Sequence, residues 1–314
     1  MTSAYTLGNP IDALVGDAAK YYWHPQSCPL CPKSNARLLG RRGGDAHRLG
    51  LGVASIVYQC RGCELIFPNP MPIPSQVEEH YGDAEKYFAE HDLEGKVASY
   101  HEVLRSIGQL GANSGRLLDI GAGRGEMLKA ATARGWKAVG LEPASGFARF
   151  AREYSGAEVI EARLEERPFE ENSFDVVTLG AVLEHVFNPV EVLREINRVL
   201  RPGGILWLDV PNEAGAFYRM GNLYQRLRGR DWVVNLSPTF PPYHVFGFTR
   251  KSVRSLAKLT GFHVARLKTY ATTAVIDTRE SPVSPFLRPV VRWVLGLSEL
   301  IGAGTYMDVW AIKR

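Results

Sequence analysis

All four cysteines of the chain fall into two identical pairs, Cys28-Pro-Leu-Cys31 and Cys60-Arg-Gly-Cys63. Two thiolates three positions apart can grip one side of a tetrahedral ion. A second such knuckle closes a four-sulfur zinc site with no open position for catalysis. The gap from 32 to 59 is long for a zinc ribbon, and Gly40-Arg41-Arg42-Gly43-Gly44 supplies a loop to absorb it. A redox pair needs only one such motif, and a disulfide needs an oxidising compartment, so the doubled spacing favours a structural metal. A second constellation is Asp119-Ile120-Gly121-Ala122-Gly123-Arg124-Gly125. Its three glycines let the backbone turn sharply and approach a ligand that any Cβ would push away. About twenty residues on, the apolar run 138–141 ends in Glu142, a carboxylate able to accept hydrogen bonds from both hydroxyls of an adenosine ribose. Loop and acid together point to an adenosine-containing ligand, and would suit a nicotinamide enzyme as well.

These residues need elements to hold them. The 314 residues, 45% hydrophobic and 22% charged, suffice for one large α/β core plus a smaller module. The boundary is expected at the proline run Pro68, Pro70, Pro72 and Pro74, read as an extended linker, which gives a zinc module over 1–74 and a main domain over 75–314. Within the main domain, 75–112 reads as a helical cap, with Val97, Tyr100, Val103, Leu104 and Ile107 at helical spacing and Tyr81 and Tyr87 as candidate ligand contacts. From Arg116 onward strand, turn and helix alternate. Asn188 followed by Pro189 and Glu191 starts a helix that Pro202-Gly203-Gly204 should end. No run of about 18 uncharged apolar residues occurs and 1–20 lacks a signal-peptide pattern, so a cytoplasmic location is expected. A net charge of +4 is too mild to imply nucleic acid.

The stretch Ser173-Phe-Asp-Val-Val-Thr-Leu-Gly-Ala-Val-Leu-Glu-His-Val186 and the stretch 198–212, Arg-Val-Leu-Arg-Pro-Gly-Gly-Ile-Leu-Trp-Leu-Asp-Val-Pro-Asn, resemble the class I S-adenosylmethionine-dependent methyltransferase family. The resemblance covers about 115–268. It implies a Rossmann-like sheet with helices on both faces and S-adenosylmethionine as cofactor. Carried over, Gly121, Ala122 and Gly123 line the methionine part and Asp119 orients the loop. Glu142 and Pro143 serve the ribose, Leu164 packs on adenine, and Gly180 and Ala181 lie near the sulfonium. Where relatives have an acid for the adenine amino group, this chain has Arg163. The paired cysteines followed by Leu65-Ile-Phe-Pro-Asn-Pro also resemble bacterial sugar and natural-product methyltransferases.

The acceptor side should lie in the insertion 213–248, rich in aromatic and basic residues, with Thr249 capping the next helix. Histidine ordinarily titrates near neutral pH, so His244 is the candidate base; His185, in a Leu-Glu-His motif, reads more as structural than as a ligand contact. Arg219, Arg226, Arg228 and Arg230 suit a phosphate or carboxylate on the substrate, or form a solvated face. Residues 286–301, within a C-terminal insertion over 269–304, form an amphipathic helix, with Leu287, Val290, Val291, Val294 and Ile301 opposite Arg288, Arg292 and Glu299. Packing on the enzyme's own core, a homodimer contact and a membrane surface are its readings, and the strand 307–312 should close the sheet. The expected substrate is a small molecule: a sugar, natural-product or lipid-linked intermediate. An RNA base methyltransferase, supported by Arg37, Arg41, Arg42 and Arg48, and a non-catalytic cofactor-binding protein are the alternatives.

Overall fold

The computed structural model describes residues 21–47, 50, 52–75, 93–237, 243–271, 286 and 288–314. Its centre is a seven-stranded sheet of β6 (Arg116–Ile120), β7 (Lys137–Leu141), β8 (Glu158–Ile160), β9 (Phe174–Gly180), β10 (Leu200–Pro211), β11 (Phe262–Tyr270) and β12 (Tyr306–Lys313). The order is β11-β12-β10-β9-β6-β7-β8. Strands β8, β7, β6, β9 and β10 run parallel, and β12 pairs antiparallel with both β10 and β11. This is an α/β Rossmann-like fold with a mostly parallel central sheet. The last strand does not close the sheet as expected: β12 sits inside it and β11 takes the edge.

Helices cover both faces because the parallel strands are apolar on both sides. On one face α1 (Leu93–Gln109) and α2 (Glu126–Ala133) bury Val103, Leu104, Ile107 and Met127 against Trp136, Trp207 and Trp310. Behind β7 and β8 lies α3 (Ser145–Ser155). The other face takes α4 (Pro189–Val199) and α6 (Arg250–Leu259). Asn188 caps α4, its Oδ1 accepting the Glu191 N–H at 3.3 Å, but α4 stops at Val199. Pro202-Gly203-Gly204 lies inside the irregular start of β10, where the register to β9 shifts between Leu200 and Ile205.

The N-terminal part adds two small sheets. β1 (Tyr21–His24) pairs with β5 (Met71–Pro74), and β2 (Ala36–Arg42), β3 (Ser55–Cys60) and β4 (Ile66–Pro68) form a three-stranded sheet. Two expectations change here. Gly40-Arg41-Arg42 belongs to β2, and only Gly43-Gly44 turns the chain. The proline run is extended, as its rings require, but it forms β4 and β5 with Phe67 and Met71 buried, and these share one apolar core with the main sheet. A linker would expose them; here the expected boundary is a packed seam. Tyr81, Tyr87, Arg48 and Leu287 lie outside the described residues.

Candidate active site

The glycine loop follows β6 at the carboxyl edge of the sheet. Gly121 has φ +68°, and a Cβ there would meet Val182 Cγ2 at 2.5 Å. Gly125, at φ +84°, is the N-cap of α2, and a Cβ would come within 3.1 Å of Ala151. Positive φ and close packing together require glycine at both turns, since a Cβ at either would crowd protein atoms. The Glu142 carboxylate accepts the Gly123 N–H at 2.9 Å and the Ala144 N–H at 3.0 Å, tying the end of β7 to the loop. Burial raises its pKa, against the pull of those two amides. Asp119 is buried and accepts the Thr178 hydroxyl at 2.7 Å. Burial lifts it to about 7, the Thr178 bond opposing. Gly180 ends β9, and Ala181 follows at φ +54°, a strained conformation for a residue with a side chain. Its N–H is held by the Asp209 carbonyl at 3.1 Å. Ala122 is buried beside α3, whereas Pro143 is exposed on the approach to that helix. Leu164 sits buried in a 3-10 turn and lines a hollow of about 400 Å³ against α4 with Asn188 and Glu191.

The acceptor-side candidates come together around a 3-10 turn at Leu183–His185. The rings of His185 and His244 meet edge to face, centroids 4.9 Å apart. Ligand atoms of Glu184, His185 and His244 all lie within 4.8 Å of one another, a set that can relay a proton or hold a divalent cation with open positions. Glu184 Oε2 is buried with no hydrogen-bond partner among the described residues. Burial raises Glu184 to about 8 and lowers His185 to about 4. His185 Nδ1 contacts the Tyr243 carbonyl at 3.1 Å. Sequence reasoning weighed the two histidines separately; their meeting, and the part played by Glu184, depend on the insertion folding back onto the end of β9.

The His244 segment is held from a distance. Buried Arg42 donates to the His244 carbonyl at 2.8 Å. Tyr243 donates its hydroxyl to the Pro72 carbonyl at 3.0 Å, and Gly247 pairs with Ile66. The Val245 N–H reaches the Glu184 carbonyl at 2.8 Å. Arg42 is thus an internal clamp, and Arg41 is engaged by Asp231 and Asp45, so two arginines read as support for an RNA partner are spent within the fold. A cleft of about 620 Å³ opens between the N-terminal sheet and α5 (Ala216–Leu227), with Arg37, Arg61, Arg219 and Arg226 on its walls and Glu213 in its lining. The glycine loop lines neither cavity.

Cys28, Cys31, Cys60 and Cys63 converge with their sulfurs within 4.8 Å, Cys28 and Cys63 at 3.4 Å, and none forms a disulfide. Burial and the neighbouring Cys63 thiol raise Cys31 to about 11. Hydrogen bonding to Cys28 and burial raise Cys63. Burial opposes ionisation of Cys60 too, yet the backbone amides of Cys63 and Gly62 and the Ser34 hydroxyl lower it to about 6.

Residues 118–208 match the methyltransferase domain family. The chain carries a methyltransferase domain. It is 29% identical over 144 residues to the ubiquinone biosynthesis O-methyltransferase of Aeromonas salmonicida, covering 41% of this chain and 59% of the relative. The Pseudomonas aeruginosa protein of the same name is 32% identical over 132 residues, 39% of this chain and 53% of the relative. The chain thus spans a little over half the length of these relatives. Among solved structures, a SAM-dependent methyltransferase from Archaeoglobus fulgidus superposes with a TM-score of 0.50 at 16% identity, over 73% of this chain and 97% of that one, a likeness of fold. The methyltransferase domain match runs from within β6 to within β10, so it takes in the glycine loop, Glu142 and the Gly180-Ala181 turn and leaves out the cysteine cluster and His244.

Proposed function

We propose that the protein transfers the methyl group of S-adenosylmethionine to an oxygen or carbon of a small-molecule acceptor, of the sugar, natural-product or lipid-linked kind, with His244 as the base. The observation that carries the reading is the single edge on which the Gly121 and Gly123 turns, Glu142 and the Ala181 turn lie within the matched domain, with Glu184 and His185 next in chain and His244 gathered to them from the insertion. The bound cofactor supplies an electrophilic methyl on a sulfonium. The residues fit it: a turn at Gly121 whose φ and close packing against Val182 exclude a side chain, and a carboxylate at Glu142 that can exchange its two amide partners for ribose hydroxyls. Ionised Asp119 would add negative charge beneath a cationic ligand. His244 takes the acceptor proton as the new methyl bond forms, and positive charge on its ring favours ionisation of Glu184 alongside. Alignment does most of the remaining work in such a displacement.

Zn²⁺ held by Cys28, Cys31, Cys60 and Cys63 is the second part of the proposal. A dication lets crowded, buried thiols become thiolates together, and a four-sulfur set leaves no position for catalysis, so its effect is on folding. Labelled donor incubated with an acceptor panel, wild type against His244→Ala, tests the reading. It predicts transfer by the wild type and a fall of roughly 10²–10⁴-fold in the variant; equal turnover in the two overturns the base assignment.

A further inference from the structure

The C-terminal helix α7 (Arg288–Leu300) has two apolar faces, and the fold uses one. Leu295 and Ser298 are buried and Val291 and Val294 half-buried, where α7 packs along α5. Val290, Trp293, Leu297, Leu300 and Ile301 stand in solvent, with Phe286 just ahead of the helix. Phe286 is 92% exposed, Trp293 67% and Leu300 82%. At 100° per residue these six positions share an arc of about 100°. The expected apolar face is therefore divided, Val291 and Val294 turning inward and Val290 and Ile301 outward. Neighbouring α5 adds exposed Leu223, Tyr224 and Leu227.

The charge around this surface is net basic. Residues 214–230 contain Arg219, Arg226, Arg228 and Arg230 and no acid, and the helix itself carries Arg288 and Arg292 against Glu299. Among the described residues, no ion pair engages the four arginines of the first segment. A second copy docked through the same patch would set these arginines against their own images. An anionic lipid surface complements them, and exposed Trp, Phe and Leu beside arginine suit the headgroup boundary. At 13 residues α7 is shorter than the roughly 20 a bilayer crossing needs, and no helix among the described residues is long and apolar enough to span a membrane.

We propose that the outward face of α7, with the arginines of α5, docks the protein on an anionic membrane surface, so that its acceptor is drawn from lipid-linked molecules. This deepens the acceptor side of the proposed function. The docking is measured without donor or acceptor, so its failure would leave methyl transfer standing.

The test is co-sedimentation of the full chain with vesicles of phosphatidylcholine containing about a third phosphatidylglycerol, against phosphatidylcholine alone, with sedimentation equilibrium to give the mass in solution. The expected result is binding to the anionic vesicles by a monomer. It should weaken at least about tenfold in roughly 0.5 M salt and at least about tenfold in the double variant Trp293→Glu, Leu297→Glu. Both positions are exposed, and unchanged thermal melting would show that the variant folds. Failure of the folded wild type to bind anionic vesicles overturns the proposal. So does a stable dimer that the double variant converts to monomer, or vesicle binding that the variant leaves intact.

Discussion

The proposed donor half and the proposed acceptor half of this molecule are built in opposite ways. The donor cradle comes from one stretch, β6 to β9: each loop lies at the end of its own strand, and Glu142 reaches a loop only 19 residues away. The acceptor cluster is assembled from afar. His244 meets His185 across the insertion, and its segment hangs on Arg42, Ile66 and Pro72 from the N-terminal sheets, contacts 171 and 202 residues apart in sequence for Pro72 and Arg42. A local site survives changes elsewhere; a site made of distant segments is only as ordered as the module that clamps it. On the proposed reading the cysteine cluster would bear on catalysis without touching the reaction, because it joins strands of the sheet that holds the His244 segment.

The largest effect that separates the halves should come from the proposed zinc site. Chelation, or Cys60→Ser, is expected to reduce turnover at least about 100-fold while the donor still binds to a folded 116–211 core. Zinc content, donor calorimetry and turnover on the same sample check this, and equal loss of both functions would dissolve the distinction.

Next comes Gly121→Val. The added side chain must adopt a positive φ and push into Val182, so donor binding should vanish and stability fall by about 1–3 kcal/mol, read by calorimetry and chemical denaturation. Turnover is lost here through the donor, the reverse of the metal variant.

A smaller effect is a pH slope shared by both halves. Burial raises Glu184 and Asp209 to about 8 and Asp119 and Glu213 to about 7. The folded state then keeps protons that the unfolded chain has released above about pH 4, so these groups lower stability as pH rises toward 8. His185, lowered to about 4, acts oppositely, its contribution fully present above about pH 6.5 and lost as pH falls toward 4. Between pH 6.5 and 8.5 the four acids outnumber Cys60, which is lowered to about 6 and acts the other way, and the melting temperature of the ligand-free protein should fall. Glu184→Gln should make that fall shallower; an identical slope would remove Glu184 from the buried set.

The same contrast explains what the sequence could reveal. Gly121, Gly123, Glu142 and the Asn188 cap announce themselves because their causes are local: a turn, a strand end, a missing side chain. The cysteine pairs are legible by their doubled spacing, and the structure brings the four sulfurs together. Arg42 carries no such signal, since a lone arginine in a basic strand looks like solvated surface until the fold buries it against the His244 carbonyl. Glu184 was visible only as part of a motif, and its meeting with His244 depends on a loop closing over 58 residues from His185 to Tyr243. Prolines 68 to 74 mislead for a physical reason. They forbid helix, as expected, but an extended segment can be a linker or an edge strand, and only packing decides.

Arg42→Met offers the most direct test of the central claim, that a module outside the matched domain positions the acceptor base. The substitution keeps bulk and removes the bond to the His244 carbonyl. Donor affinity should stay within about twofold of wild type while kcat falls at least about tenfold, the melt showing a folded protein. A folded variant with unchanged kcat, or one that loses donor affinity in step with kcat, would contradict it.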